Sequence, residues 1–135
     1  MRIVITGCQG FVGRSLGQYA LNMGHQVMGV SRSDHGCVDS GILFQPCALD
    51  QPGFVALLNE FVPDLIVHAA GSASVGHSFQ QPREDFLMAV ETWAAVLDAV
   101  RRSEVNPLII FPSSASVYGN PMRLPVSEAA SLRPI

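Results

Sequence analysis

The stretch that decides the fold is residues 2–13, RIVITGCQGFVG. A run rich in β-branched residues, typical of a strand, leads directly into a turn punctuated by Gly7, Gly10 and Gly13. Gly7 lets the chain turn sharply, Gly10 lets the backbone approach a ligand, and Gly13 lets the next helix pack closely. Because a helix start presents unpaired N–H groups, this unit predicts a dinucleotide pyrophosphate site; a turn without a ligand is the alternative.

The rest of the chain continues the alternation of strands and helices. Such alternation favours a parallel sheet with helices on both faces, so the predicted fold is α/β, a Rossmann-type doubly wound parallel sheet. The predicted strands are Arg2–Thr6, Gln26–Ser31, Ile42–Gln45, Asp64–His68 and Leu108–Phe111, and the predicted helices are Phe11–Met23, Pro52–Phe61 and Pro82–Ser103. We expect loops over residues 69–79 and 31–41, with a broken helix as an alternative in the second.

Two predicted helices carry apolar residues at helical spacing. These are Phe11, Val12, Leu16, Tyr19, Ala20 and Met23 in the first helix, and Phe86, Val90, Trp93, Leu97 and Val100 in the long one. After Asn120, prolines interrupt any regular pattern, and the last residues lie in mid-loop. A doubly wound sheet normally continues past its fifth strand, so residues 1–135 are expected to be an incomplete nucleotide-binding domain, a fragment or a truncated gene product.

Composition excludes several classes of protein. The chain has 135 residues, 48% of them hydrophobic, and a net charge of −3. It has no basic run, so nucleic acid is not an expected partner, and no apolar stretch long enough for a membrane helix. The N-terminus lacks the apolar region and cleavage site of a signal peptide, so we expect a cytoplasmic protein. Cys8, Cys37 and Cys47 match no zinc spacing and are expected to be free thiols.

The basic residues are all arginine, and the chain contains no lysine. Any mechanism that needs a lysine therefore cannot run on these residues alone.

The end of the second predicted strand favours NADP over NAD. An acidic residue there would bind the ribose 2′-hydroxyl of NAD, but the sequence is Val30-Ser31-Arg32-Ser33. Arg32, with Ser31 and Ser33, could hold the 2′-phosphate of NADP. A solvated Arg32 in a loop is the alternative.

The chain resembles the N-terminal part of extended short-chain dehydrogenases/reductases, of the NAD-dependent epimerase/dehydratase type. Three blocks carry the resemblance, in family order and over essentially the whole chain: TGCQGFVG (6–13), PDLIVHAAG (63–71) and FPSSASVYG (111–119). The resemblance implies a cofactor cradle that includes Gln9, Phe11 and Val12 beside the glycines. It also implies that His68, Ala69, Ala70 and Gly71 lie along the cofactor, unless they only pack a strand end.

The third block implies one catalytic candidate. In the family the catalytic Ser or Thr lies four residues before the tyrosine of the V-Y-G segment, which corresponds to Ser114 before Tyr118. Ser113 and Ser116 could be strand-end caps instead. Sugar dehydratases of the family place an acid one or two positions later, but Ala115 and Ser116 stand there. The resemblance therefore favours an epimerase or a ketoreductase over a 4,6-dehydratase.

The sequence departs from the family in three places. The family's Tyr-x-x-x-Lys pair is missing, because Met122 follows Tyr118 and Met23 follows Tyr19 at the lysine spacing. The family's Asp before Leu49, which meets the adenine, is Ala48. The Asn and Gly of the long helix correspond to residues 89–92, AVET. The last two changes would weaken cofactor binding or mark a divergent branch.

Two main hypotheses follow. The chain is the NAD(P)-binding portion of a nucleotide-sugar epimerase or ketoreductase, inactive alone, with a nucleotide sugar as its partner molecule. Alternatively it is a non-catalytic dinucleotide-binding module or sensor. A third possibility is a decayed gene product whose exposed sheet edge makes it unstable or homo-oligomeric.

Overall fold

A five-stranded parallel sheet runs through the structure in the order β3–β2–β1–β4–β5. The computed structural model describes residues 1–32, 41–72 and 74–134. The strands are β1 (Arg2–Thr6), β2 (Gln26–Ser31), β3 (Leu43–Pro46), β4 (Leu65–His68) and β5 (Leu108–Ile110), and the helices are α1 (Phe11–Asn22), α2 (Pro52–Phe61), α3 (Val75–Gln80) and α4 (Pro82–Arg102). The predicted Rossmann-type sheet is confirmed, and its strands differ from the prediction only at their ends.

The order of the strands reverses at β1. The chain passes from β1 to β2 and β3 on one side, and then crosses back so that β4 pairs with the other edge of β1. Thr6 is level with Val30 on one side and with His68 on the other. In sheets of this kind a crevice opens at the carboxyl edge where the strand order reverses, and ligands bind there.

Helices cover both faces of the sheet, because alternate side chains of each buried strand point to opposite faces. The core on the face of α2 and α4 contains Val4, Val30, Phe54, Leu57, Leu58, Ile66, Val96 and Ala99. The core on the face of α1 contains Ile3, Ile5, Cys8, Ala20, Val27 and Val67. The large hydrophobic fraction of the chain is explained by this two-sided burial.

Helix α1 packs on the sheet through small residues. Its buried residues are Gly13, Gly17 and Ala20, whereas Phe11 is 91% exposed. A Cβ atom on Gly13 would collide with the Gly7 carbonyl oxygen and would lie 2.9 Å from Cys8 Cα. The helical spacing of large apolar residues thus predicted the helix but not its buried face. Only small residues allow α1 to approach the glycine turn so closely.

The apolar face predicted for the long helix is also largely exposed. Phe86, Val90 and Leu97 keep 63%, 46% and 43% of their surface accessible. The buried residues of α4 are Val96 and Ala99. The helix therefore turns its smaller residues to the sheet, as α1 does.

The segment expected to be a loop over residues 69–79 is partly helical, so this prediction was wrong. Helix α3 begins after Ser74, whose hydroxyl oxygen accepts a hydrogen bond from His77 N–H at 3.2 Å. Serine is a favoured N-cap, because its oxygen satisfies an amide that the helix leaves unpaired. The small and polar composition concealed a helix start.

The predicted loop or broken helix over residues 31–41 falls mostly on residues 33–40, which lie outside the described residues, as does Cys37. Across the described ranges, no helix combines the length and apolar character that crossing a bilayer requires.

A substitution at Gly13 tests the packing of α1. We expect Gly13→Ala to lower the free energy of unfolding by about 1–3 kcal/mol, because the added methyl meets backbone that cannot move aside. Urea unfolding followed by circular dichroism would measure it. The control is Gly53→Ala in α2, whose new Cβ would lie 3.6 Å from Cys47 Sγ and should change stability by less than about 1 kcal/mol. Equal effects of both substitutions would contradict the packing described.

Candidate functional site

A cavity of about 480 Å³ opens at the carboxyl edge of the sheet, where the loops after β1, β2, β3 and β4 meet one face of α4. This volume is in the range of small-molecule and cofactor sites. The cavity is lined by Thr6, Gly7, Gly10, Val30, Ser31, Arg32, Cys47, Ala48, Leu49, Asp50, Ala69, Ala70, Gly71, Met88, Glu91, Thr92 and Ala95. The predicted residues Gly7, Gly10, Ser31, Arg32, Leu49, Ala69, Ala70 and Gly71 are thus brought together.

The corner of the cavity is a backbone contact between the glycine turn and the loop after β4. Gly7 N–H donates to the Val30 carbonyl at 2.9 Å, and Ala69 N–H donates to the Thr6 carbonyl at 3.1 Å. Gly7 has a φ of +67°, and a Cβ atom there would lie 2.6 Å from the Ala69 oxygen. Glycine alone combines this conformation with this approach. The turn and the loop therefore form one continuous wall.

Helix α1 begins at this wall with its amide groups available to a ligand. Gly10 is the N-cap, and its N–H donates to the Gly7 carbonyl at 2.9 Å. Among the described residues, no side chain caps this helix, and its first turn carries no acid. The helix dipole and the unpaired amides favour an anion at such an end. Since Gly10 also lines the cavity, the helix start can serve a phosphate bound there.

Polar and charged side chains lie at the end of β2. Ser31 Oγ donates to Gln9 Oε1 at 3.1 Å, which joins the glycine turn to β2. Gln9 therefore supports the cavity without lining it. Arg32 is exposed and lines the cavity, and the carboxylate-bearing residues Asp50 and Glu91 line it too. The cavity thus carries charges of both signs.

One wall of the cavity was anticipated only in part, through the family resemblance of residues 89–92. Met88, Glu91, Thr92 and Ala95 line it from α4, at the i, i+3, i+4 and i+7 spacing of a single helix face. A search for large apolar residues passes over a face that mixes small, polar and charged side chains. The signal that could have found it is this spacing within α4.

His68 lies behind the cavity wall, although the resemblance placed it along the cofactor. It is 2% exposed, and its Nδ1 lies 2.8 Å from Thr6 Oγ1. Its Nε2 lies 3.4 Å from Thr92 Oγ1. The ring centroids of Trp93 and Phe111 are 5.5 Å and 5.9 Å from that of His68. Burial lowers the pKa of His68, so the neutral imidazole is favoured.

Other predicted residues do not line the cavity. Phe11 and Val12 are exposed at the start of α1, and Gly13 is buried beneath it. Ser114 is exposed after β5, and its Oγ accepts a hydrogen bond from Ser116 N–H at 3.2 Å. Ser114 is therefore the cap of a short 3-10 turn over Ala115–Tyr118, the role that the sequence suggested for its neighbours.

The cysteines and possible metal ligands add no second site. Cys8 and Cys47 are free thiols, as predicted. Burial raises the pKa of Cys8, and burial together with the charge of Asp50 raises the pKa of Cys47, so both favour the thiol over the reactive thiolate. In the part of the chain that the structure describes, no cluster of His, Cys, Asp and Glu could hold a metal ion.

The pKa of His68 predicts a pH dependence of stability. The unfolded chain takes up a proton on His68 near the ordinary pKa of about 6.5, whereas the folded protein binds it only at lower pH. The unfolded state then holds more protons at low pH. The stability contributed by neutral His68 is therefore complete above the ordinary histidine pKa and is lost as the pH falls below it. We expect the melting temperature to decrease between about pH 7.5 and pH 5.5.

The control for this measurement is His68→Phe, which keeps an aromatic ring and removes the titrating nitrogen atoms. Its melting temperature should depend less on pH over the same range, because the remaining histidines are unchanged. An identical pH dependence in both proteins would show that His68 does not titrate as described.

Comparison with known proteins agrees with this geometry. The model of the NAD dependent epimerase/dehydratase family matches residues 3–135. The UDP-glucose 4-epimerase of Mycolicibacterium smegmatis is 30% identical over 142 residues, which cover 99% of this chain and 45% of that protein. The chain therefore spans less than half of that relative's length.

Solved structures of UDP-glucose 4-epimerases are also similar to this chain. A UDP-glucose 4-epimerase from Stenotrophomonas maltophila, with bound NAD and formylated UDP-arabinopyranose, has a TM-score of 0.85 and 29% identity, covering 98% of this chain and 43% of the other. A UDP-glucose 4-epimerase from Brucella ovis, in complex with NAD, has a TM-score of 0.86 and 28% identity, covering 99% and 42%. With the matched family model, these likenesses place the chain in the NAD-dependent epimerase/dehydratase family.

Proposed function

We propose that this chain is the NAD(P)-binding portion of a nucleotide-sugar epimerase. The observation that carries the proposal is the coincidence of three features in one cavity: the uncapped start of α1, the Gly7 corner and the small-residue loop Ala69–Gly71. A dinucleotide needs a site for its pyrophosphate and a close approach of backbone to ribose and nicotinamide, and these features supply both.

The start of α1 would hold the pyrophosphate. Within the described ranges no side chain caps its amides, so they can bind an anion, and Gly10 leaves the approach open. A Cβ atom at Gly10 would lie only 3.2 Å from the Gly7 oxygen, so the turn favours glycine at this position as well. The residues present therefore fit the diphosphate group of the cofactor.

The adenosine end of the cavity favours the 2′-phosphate of NADP. Arg32 lines the cavity at the end of β2, and Ser31 stands where an acid would select NAD. A guanidinium can form charge-assisted hydrogen bonds to a phosphate. The epimerases from Stenotrophomonas and Brucella bind NAD, which supports a dinucleotide in general, whereas the preference for NADP rests on Arg32.

The catalytic end of the proposed site has one candidate side chain among these 135 residues. A bound nicotinamide would take a hydride from the sugar and return it. Ser114, exposed after β5, is the candidate that would hydrogen-bond the reacting oxygen of the sugar. The residues after it, Ala115 and Ser116, carry no acid, which argues against a 4,6-dehydratase. The epimerase relatives support an epimerase rather than a ketoreductase.

Titration with NADPH and NADH tests the proposed cavity. We expect saturable binding of both, tighter for NADPH, followed through the fluorescence of Trp93, the single tryptophan, and checked by calorimetry. Arg32→Ala should weaken NADPH binding about tenfold, the effect of losing about 1.4 kcal/mol, and leave NADH binding nearly unchanged. The matched control is Arg83→Ala, an exposed arginine at the start of α4 that does not line the cavity.

The outcomes of the titration separate the proposals. Equal affinity for the two cofactors in both the wild type and Arg32→Ala would refute the NADP preference but keep the dinucleotide site. Absence of binding to the folded chain would overturn the proposed function.

A turnover assay tests whether this chain is inactive alone. We expect no interconversion of UDP-galactose and UDP-glucose, because the family's lysine-dependent proton transfer has no lysine among these 135 residues. Proton NMR of the sugar, with cofactor present, would measure it. Sustained turnover that Ser114→Ala abolishes would contradict this expectation and show that the chain supplies its own acid and base.

A further inference from the structure

A chain of hydrogen bonds passes through His68 from the loop after β4 to helix α4. Thr6 Oγ1 lies 2.8 Å from His68 Nδ1 and also accepts a hydrogen bond from Ala70 N–H at 3.4 Å. On the other side of the ring, His68 Nε2 lies 3.4 Å from Thr92 Oγ1. Thr6, Ala70 and Thr92 all line the cavity. His68 therefore connects three parts of the cavity wall from behind.

The direction of these hydrogen bonds fixes the tautomer of the ring. The single hydroxyl proton of Thr92 goes to the Met88 carbonyl at 2.6 Å, so Thr92 can only accept from His68 Nε2–H. Nδ1 is then an acceptor for the hydroxyl proton of Thr6. Every donor in the series finds an acceptor only if His68 is neutral and carries its proton on Nε2.

The surroundings of the ring favour the same state. The described residues that form hydrogen bonds or ring contacts with the imidazole are Thr6 from β1, Thr92 and Trp93 from α4, and Phe111 after β5, and none of these carries an ionisable charge. A protonated ring would place a donor against Thr6 and lose the bond that it accepts. The aromatic rings also exclude water that could solvate the charge.

We propose that His68 is a positioning residue for cofactor binding: its neutral imidazole, protonated on Nε2, aligns Thr6, the Ala69–Gly71 loop and Thr92 as the wall of the cavity. This inference rests on the proposed function. His68 touches no ligand itself, since it does not line the cavity. It acts through its hydrogen bonds to the hydroxyls of Thr6 on β1 and Thr92 on α4. Thr6 in turn accepts the hydrogen bond of the Ala70 backbone amide.

The helix side of this connection depends on the Thr92 hydroxyl. Thr92 lies in the AVET stretch, where the resemblance implied an Asn and a nearby Gly. A glycine at that position would offer no hydroxyl to Nε2, so the ring would connect only β1 and the loop. The threonine extends the connection to the helix face that carries Glu91 and Ala95.

Three substitutions at His68 test the positioning role in the whole chain. His68→Phe keeps the ring and removes both nitrogen atoms, His68→Asn keeps a polar atom near the position of Nδ1, and His68→Gln keeps one near that of Nε2. We expect the dissociation constant for NADPH to rise about tenfold in His68→Phe, as expected for a buried hydroxyl left unpaired. His68→Asn should restore much of this affinity, because Thr6 regains its acceptor, and His68→Gln should restore less.

A second measurement needs neither a ligand nor a substituted protein, so it tests the inference even if a variant unfolds. Nitrogen-15 NMR of the imidazole in the wild type should show a protonated Nε2 and an unprotonated Nδ1 at neutral pH. The opposite tautomer, or a charged ring, would overturn the inference. So would wild-type affinity in a folded His68→Phe, which would leave the proposed function intact. If the wild type shows the expected tautomer but binds no dinucleotide, then the proposed function fails and His68 has no cofactor to position.

Discussion

The contact on which the site depends is the one between the Gly7 backbone and the backbone of Ala69 and Ala70. No side chain fits between them, because a Cβ atom on Gly7 would lie 2.6 Å from the Ala69 oxygen. This contact closes the end of β1 against the end of β4, at the point where the strand order reverses. The cavity exists because these two ends meet while β2 and β3 lead away on the other side.

The same constraint explains how the helices are placed. Since α1 follows the Gly7 turn directly, it can approach the sheet only through Gly13, Gly17 and Ala20, and its amide end then faces the cavity. On the other side, α4 is held near the wall through Thr92 and the buried ring of His68. The buried imidazole of His68 is tolerated at 2% exposure because both of its nitrogen atoms have hydrogen-bond partners.

Much of this architecture could be predicted from the sequence, and the failures have a common cause. The strands, the glycine turn and the sheet type follow from β-branched runs and from glycines placed between a strand and a helix. The buried faces of α1 and α4 could not be predicted in this way. A search for helical periodicity looks for large apolar residues, whereas these helices bury glycine, alanine and a single valine. Met88, Glu91 and Thr92 share one helix face by their spacing, but the position of that face at the cavity depends on tertiary contacts. The cytoplasmic location and the oligomeric state remain predictions.

The most direct test of the account is an amide NMR map of the isotopically labelled chain with and without NADPH. If the cavity where the strand order reverses is the dinucleotide site, the largest shifts will fall on Gly7, Gly10, residues 69–71, Glu91, Thr92 and Ala95, which line it in the structure. Shifts concentrated elsewhere, for instance on the exposed face of α1 around Arg14 and Tyr19, or no shifts at saturating cofactor, would contradict the central claim.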